Sequence, residues 1–322
     1  MILVTGAAGF IGFHVAQALL ARGDAVLGLD SLNDYYDPAL KQARLAQLAH
    51  SRFIFERCDL ADRAAVQAVF ARHRIEAVVH LAAQAGVRYS LSHPHAYVDA
   101  NVVGFLNLLE AVRARPVRHT VYASTSSVYG ANTKLPFAVE DRVDQPVSLY
   151  AATKRADELM AYVYARQFGL VLTGLRFFTV YGPWGRPDMA AFKFTRAILA
   201  GEPIEVYNHG DMKRDFTYID DVVDGLLRVL DRPPAPDENG VPHRLYNIGN
   251  HRPEPLLRFI EVLAAAVGRS PQMRMLPMQP GDVKETCADI GPLTRDYGWR
   301  PTTTIETGLP RFVAWYRQYY RV

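Results

Sequence analysis

Short apolar runs alternate with amphipathic stretches through the first half of the chain, and the alternation predicts its elements and their order. Ile2 to Thr5 reads as a β-strand. After it Ile11, Val15, Ala18 and Leu19 recur on one helical face, and Gly23 behind Arg22 stops the helix. A second strand follows at Ala25–Leu29, with further runs at Phe53–Phe55, Ala77–Leu81, Thr120–Ala123 and Val171–Leu175. Strands and helices taken in turn imply right-handed crossovers and a parallel sheet covered by helices on both faces. Polar residues close several strands: Asp59 after the third, His80 to Gln84 after the fourth, Ser124 to Ser127 after the fifth. Ligands of open α/β sheets bind at such carboxyl ends, so these three ends are expected to face one cleft.

Two helices, about 95–113 and 150–168, are apolar on more than one face, through Val98, Val102, Phe105 and Leu109, and through Leu159, Met160 and Val163. Such helices lie in the core or pair with a second copy of the chain. Beyond Tyr181 the pattern loosens and Pro and Gly recur, from Gly182-Pro183 to Pro242. We therefore expect residues 1–180 plus 217–249 to form the sheet domain, with a helix near 219–230 and the run Leu245–Ile248 returning to it. Residues 181–216 plus 250–322 are expected to form a smaller, irregular lobe. Arg232 to Gly240 reads as a surface loop.

Composition narrows the function classes. The chain has 322 residues, is 49% hydrophobic and 21% charged, and carries a formal charge of +3, the profile of a soluble globular protein. No basic run interleaves with aromatic residues, so nucleic acid is not an expected partner. No apolar stretch reaches membrane-spanning length, and the strand at residue 2 leaves no room for a signal peptide, so a cytoplasmic protein without a membrane partner is expected. Cys58 and Cys287 read as small buried hydrophobes, and the ten histidines lack ligand spacing, so no metal is expected.

The candidate chemistry begins at the first turn. Gly6, Gly9 and Gly12 join the opening strand to the opening helix. Without Cβ atoms the first two let the backbone turn tightly and approach a pyrophosphate. The third lets the helix pack close, and the helix N-terminus offers amide donors to phosphate. In that setting the spacing predicts a dinucleotide site and a Rossmann-type doubly wound sheet. Asp30, about 20 residues on, stands where an acidic residue takes the adenosine ribose hydroxyls. A carboxylate there repels a 2′-phosphate, so NAD is favoured over NADP. The alternative reading of Asp30 is a plain turn residue.

Tyr150-Ala-Ala-Thr-Lys154 puts a phenol and an ammonium on one helical face behind a plausible N-cap, Ser148. A nearby cation favours the phenolate, the form a general base needs. The spacing alone also occurs on ordinary helix surfaces. Here it follows a dinucleotide loop and the hydroxyl-rich end Tyr122-Ala-Ser-Thr-Ser-Ser-Val-Tyr-Gly130, where Thr125 is the candidate to hydrogen-bond a reacting oxygen.

Together with Arg176-Phe-Phe-Thr-Val-Tyr-Gly-Pro183, these motifs resemble the extended short-chain dehydrogenase/reductases that act on nucleotide sugars, over essentially the whole chain. Leu32-Asn-Asp-Tyr-Tyr-Asp37, Ala85-Gly-Val-Arg-Tyr-Ser90 and Gly104-Phe-Leu-Asn-Leu-Leu-Glu110 are closer still to the UDP-glucuronate 4-epimerases. The resemblance implies tightly bound, recycled NAD and inversion at C4 through a transient 4-keto sugar, with Tyr150 as base. Lys154 would also hold the nicotinamide ribose. It places Phe10, Ile11, Asn33, Asp59, Leu60, Leu81, Ala82, Ala83, Gln84 and Asn101 along the cofactor with the glycines and Asp30, and it implies a homodimer through the two helices above.

For the substrate, the resemblance points to Arg214 in Met212-Lys-Arg-Asp-Phe-Thr-Tyr-Ile-Asp-Asp221 for the pyrophosphate, and to Asp282 in Pro280-Gly-Asp-Val283 for the uridine ribose. Related 4,6-dehydratases and decarboxylases carry acidic residues after the catalytic threonine; here Ser126 and Ser127 stand there. The serines, Thr179 and Arg186 are the candidates to hold a sugar carboxylate, and Arg88 to approach sugar or phosphate. Arg186, beside Pro187, has the alternative reading of a solvated loop arginine, and Arg88 that of a surface residue. The competing readings are a UDP-glucose/UDP-galactose 4-epimerase, then a UDP-glucuronate decarboxylase, and lastly a non-catalytic NAD-binding regulator.

Overall fold

The computed structural model describes residues 1–279 and 282–322. Two compact units emerge. The first comprises Met1–Asn132, Arg142–Phe177 and Val223–Tyr246; the second comprises Thr133–Asp141, Phe178–Val222 and Asn247–Val322. The segment Thr133–Asp141 therefore groups with the second unit, although it falls inside the stretch 1–180 that the sequence assigned to the sheet domain.

The first unit is built on strands β1 (Ile2–Thr5), β2 (Val26–Asp30), β3 (Phe53–Arg57), β4 (Ala77–His80), β5 (His119–Thr125) and β6 (Leu172–Phe177). Strands β7 (Thr179–Tyr181), β8 (Ile204–Val206) and β9 (Lys213–Tyr218) follow, and β10 (His243–Ile248) returns to complete a seven-stranded sheet in the order β10-β6-β5-β4-β1-β2-β3. The pairs β1–β2, β1–β4, β2–β3, β4–β5 and β5–β6 are parallel. Order reverses at β1, which has β2 on one side and β4 on the other, and such a switch point opens a crevice at the strand ends. Leu3, Val78, Phe105, Leu108 and Tyr122 are fully buried beneath one face. Burying an aliphatic or aromatic side chain contributes about 1.5–3 kcal/mol each before entropy is charged.

The expected helix at 95–113 is present but interrupted. A turn at Pro94–Tyr97 passes into a π-helical stretch, Val98–Val103, and then into α-helix Gly104–Ala114. Such widened turns often mark functional sites. The helix Leu149–Phe168 is regular: Ser148 accepts the Ala151 amide at 3.1 Å as N-cap, and Gly169 ends it at φ +67°.

The second unit carries more regular structure than the sequence led us to expect. Strand β11 (Pro253–Pro255) pairs antiparallel with β9, which pairs parallel with β7. Strand β12 (Met273–Met275) pairs parallel with β8. Helices Ala190–Ala200, Leu256–Val267 and Ile305–Tyr320 supply Phe192, Phe259 and Phe312 to its buried interior. No helix among the described residues is long and apolar enough to cross a membrane.

Candidate active site

In the first unit the glycine turn forms a cradle with no room for side chains. Gly6 has φ +71°, and a Cβ there would lie 2.8 Å from the Ala82 nitrogen. The Gly9 amide donates to the Gly6 carbonyl at 2.8 Å, which closes the turn. A Cβ on Gly12 would fall 2.0 Å from that same carbonyl oxygen. The helix Phe10–Ala21 starts immediately behind, and no side chain caps its N-terminus, which leaves first-turn amides for an anion. Phe10 and Gly12 are buried, with Ile11 half-buried between them. The cradle fits the pyrophosphate of a dinucleotide.

Asp30 ends β2 and is turned onto this loop: its two carboxylate oxygens accept the amides of Ala8 at 3.1 Å and Leu32 at 2.8 Å. The helix Pro38–Gln47 adds two cations that sequence reasoning missed. Lys41 donates to the Asn33 carbonyl at 2.8 Å and to its side-chain oxygen at 2.6 Å. The fully buried Arg44 donates to the Ala8 carbonyl at 2.9 Å. Burial pushes the Lys41 ammonium below its ordinary value. Their only sequence signal was a basic pair three residues apart in the first helix after Asp37.

At the end of β4, Thr5 Oγ1 accepts the amides of Leu81 at 3.2 Å and Ala82 at 3.1 Å and meets His80 Nδ1 at 2.8 Å. Ala83 and Gln84 follow, with Gln84 buried. The Asn101 side chain accepts the Gln84 amide at 2.8 Å and donates to the Gln84 carbonyl at 3.1 Å and to Thr153 at 3.0 Å. All three bonds lie within the protein, so Asn101 clamps the loop after β4 to the helix that bears Tyr150. Asp59 accepts the Ala61 amide at 2.9 Å in the turn after β3, beside buried Leu60.

Tyr150 and Lys154 share one face of the helix Leu149–Phe168. Lys154 is 1% exposed, and its Nζ donates to Asp157 Oδ2 at 2.6 Å. The Tyr150 ring meets Tyr97 edge-on at 6.0 Å between centroids. Tyr97 in turn donates to the Ala85 carbonyl at 2.9 Å, which ties the phenol to the loop leading to Arg88, an exposed residue. Thr125, last in β5, caps the short turn Ser126–Tyr129 by accepting the Ser127 amide at 3.2 Å. Behind it Ser124 donates to Glu158 at 2.6 Å, and Glu158 pairs with Arg176 at 2.8 and 2.9 Å. This buried set joins β5, β6 and the Tyr150 helix.

The second unit holds the remaining candidates. Thr179 and Arg186 line one small pocket with Gly185, Met189, Phe192 and Phe312. Arg186 is paired with Asp188 through Nε at 3.0 Å. Arg214, on β9, donates to the carbonyls of Lys213 at 3.0 Å and Lys284 at 3.1 Å. Burial pushes its guanidinium below the ordinary value, and the charge of Asp282 opposes that shift, so the two residues expected at the nucleotide interact. Pro280 and Gly281, which open the Asp282 motif, lie outside the described residues. Next to Arg214, buried Asp215 gathers the amides of Asn250, His251 at 3.0 Å and Ala288 at 2.8 Å. The sequence carried no sign of that role. Among the described residues no cluster of His, Cys, Asp or Glu could hold a metal ion.

Known proteins resemble this chain in sequence and in fold. A probable UDP-glucuronate 4-epimerase of Rhizobium meliloti is 50% identical, covering 99% of this chain and 97% of the relative. The crystal structure of a Bacillus cereus UDP-glucuronic acid 4-epimerase with UDP-glucuronic acid and NAD is 35% identical, with TM-score 0.91 and 99% of both chains covered. A Thermotoga maritima UDP-glucose 4-epimerase with UDP-glucose is 30% identical, with TM-score 0.87 over 99% of both chains. The family profile for NAD dependent epimerases and dehydratases matches residues 2–249, and the chain belongs to that family.

Proposed function

We propose that the chain catalyses the NAD-dependent C4 epimerisation of UDP-glucuronate to UDP-galacturonate. The observation that carries this reading is that Tyr150 and a buried Lys154 share one helix face, in the unit that also carries the glycine cradle. NAD, when bound, supplies the acceptor and donor of hydride at C4. Tyr150 Oη takes the C4 hydroxyl proton and later returns it, and the Lys154 ammonium favours the phenolate that does so. The Thr125 hydroxyl hydrogen-bonds the reacting oxygen. Glycines 6, 9 and 12 hold the pyrophosphate of the cofactor, and Asp30 its adenosine ribose. Phe10, Ile11, Asn33, Asp59, Leu60, Leu81, Ala82, Ala83, Gln84 and Asn101 complete its surroundings.

Arg214 and Asp282 serve the UDP moiety. Ser126, Ser127, Thr179 and Arg186 serve the carboxylate, with Arg88 toward sugar or phosphate. The oxidised sugar is a β-keto acid and prone to lose CO₂. Neither serine offers the acid–base pair that would drive elimination, and a carboxylate held near the carbonyl plane overlaps poorly with the π system. A 50% identical relative and a 35% identical structure, each covering 99% of this chain, are named for glucuronate, which supports the acidic sugar.

The working form we propose is a cytoplasmic homodimer. Leu159 and Val163, 53% and 51% exposed, and Val98 and Leu106 leave apolar side chains uncovered on the two helices expected to pair. The free thiols Cys58 and Cys287 suit a reducing compartment. Replacing Tyr150 with Phe tests the reading: turnover should fall on the order of 10³-fold while NAD stays bound. Turnover like the wild type's would overturn the assignment of the base.

A further inference from the structure

The ammonium of Lys154 is not held by the phenol's helix face alone. Its Nζ donates to Asp157 Oδ2 at 2.6 Å, one turn further along the same helix, with the two side chains 2% and 0% exposed. Among the described residues that carboxylate is the lysine's one hydrogen-bond partner. An ammonium has three N–H donors, so one anchors to Asp157 and two remain for the phenol and the cofactor. The other oxygen, Asp157 Oδ1, is buried with no hydrogen-bond partner. A carboxylate in that state is stabilised almost entirely by the one cation it touches.

We propose that Asp157 is a positioning residue for the Tyr150–Lys154 pair: its carboxylate tethers the ammonium, and its protonation releases the lysine and ends turnover on the acid side. The proposal rests on the functional reading of Tyr150 and Lys154 above.

The surroundings favour Asp157 as the group that changes charge there. Burial pushes its carboxyl up to about 6, against the pull of Lys154 and with a small upward push from Glu158. On the same helix Glu158 stays ionised: burial opposes its charge, but Arg176, Ser124 and Arg155 hold its carboxyl below the usual range. From β4, His80 is pushed down to about 3 by burial and by the charge of Lys154. From β5, burial pushes the Tyr122 phenol well above its ordinary value, and from β10 burial pushes His243 down to about 4. Arg176, on β6, remains a cation, its guanidinium raised above the ordinary value by Glu158 despite its burial. Of these neighbours, none changes charge between pH 5 and 7.

The sign follows directly. Above about 6 the carboxylate is charged and the tether intact. As pH falls through that value, Asp157 takes up a proton and Lys154 loses its counter-charge. Wild-type kcat for UDP-glucuronate should then fall close to tenfold per pH unit below the inflection. Asp157→Asn keeps an acceptor oxygen of the same shape but cannot titrate. Its kcat should be lower at pH 8, with KM and bound NAD little changed, and the acid inflection should vanish.

A second readout does not depend on activity. Protein labelled with ¹³C at the aspartate carboxyl should show a resonance titrating near 6 that is missing from Asp157→Asn. The variant separates it from Asp215, the carboxyl in the other unit that burial also pushes to about 6. A flat wild-type profile from pH 5 to 7, or an Asp157→Asn profile that superposes on the wild type's, overturns the proposal. If the variant does not fold, the carboxyl spectrum decides: a wild type with no aspartate resonance titrating near 6 beyond the one lost from Asp215→Asn overturns the proposal. A wild type inert with UDP-glucuronate at every pH would instead overturn the functional reading itself.

Discussion

Replacing Gly12 with Ala puts one methyl group where the structure has least room for it. Its Cβ would lie 2.0 Å from the Gly6 carbonyl oxygen and 2.7 Å from the carbonyl carbon. Ordinary contact begins near 3.4 Å, so the helix and the turn must separate by about 1.4 Å. Neither side yields easily. The obstacle is backbone, and the Gly6 oxygen is already held by the Gly9 amide at 2.8 Å. Overpacking of this kind costs about 1–3 kcal/mol, which for a unit of this size lowers the melting temperature by about 2–12 °C.

The larger effect is on the cofactor. First-turn amides displaced by more than 1 Å lose charge-assisted hydrogen bonds worth about 1.5–3 kcal/mol each, so NAD affinity should fall at least about 100-fold. Gly9→Ala is the internal comparison, because its Cβ would sit 2.9 Å from the same oxygen and needs a much smaller shift. Scanning fluorimetry and the NAD content of purified protein read both effects. Gly12→Ala that retains NAD and melts with the wild type refutes the cradle, as does a ranking in which Gly9→Ala is the more damaged.

Glu158→Gln strands the buried Arg176 without its counter-charge and should cost about 3–5 kcal/mol in urea unfolding at pH 7. The Glu158 carboxyl is held below its usual range by Arg176, although burial opposes this. Its contribution is therefore present at neutral pH and lost on acidification, so the gap between wild type and variant should narrow as pH falls. A constant gap would contradict that pairing. Arg214→Ala should raise KM for the UDP-sugar about 10–100-fold with little change in kcat, and Arg214→Lys should recover only part of it, because an ammonium lacks the guanidinium's two-pronged geometry. Steady-state kinetics checks both variants; an unchanged KM would remove Arg214 from the nucleotide site.

What the sequence showed and what it hid follow from range. The glycine turn, Asp30 and the Tyr150–Lys154 spacing were legible because each is set by a few neighbouring residues with one backbone requirement. The parallel sheet was legible because runs such as Ala77–Leu81 and Val171–Leu175 are apolar on both faces. Strands β7, β11 and β12 were not, since three residues carry no period to read. Nor does a linear pattern reveal that Arg44 reaches the Ala8 carbonyl or that Asp215 gathers three amides from two later segments, because those bonds exist only once distant backbone is folded around them. Asn101 is the intermediate case. The resemblance placed it along the cofactor, but its clamp on Gln84 and Thr153, made from the π-helical stretch, was not anticipated.

The most direct test is proton NMR of purified protein incubated with UDP-glucuronate and no added NAD. The account predicts that UDP-galacturonate appears and drifts toward an equilibrium mixture, on cofactor the protein brought with it. Formation of UDP-xylose or a 4-keto pentose, or turnover of UDP-galactose alone in the same tube, would contradict it.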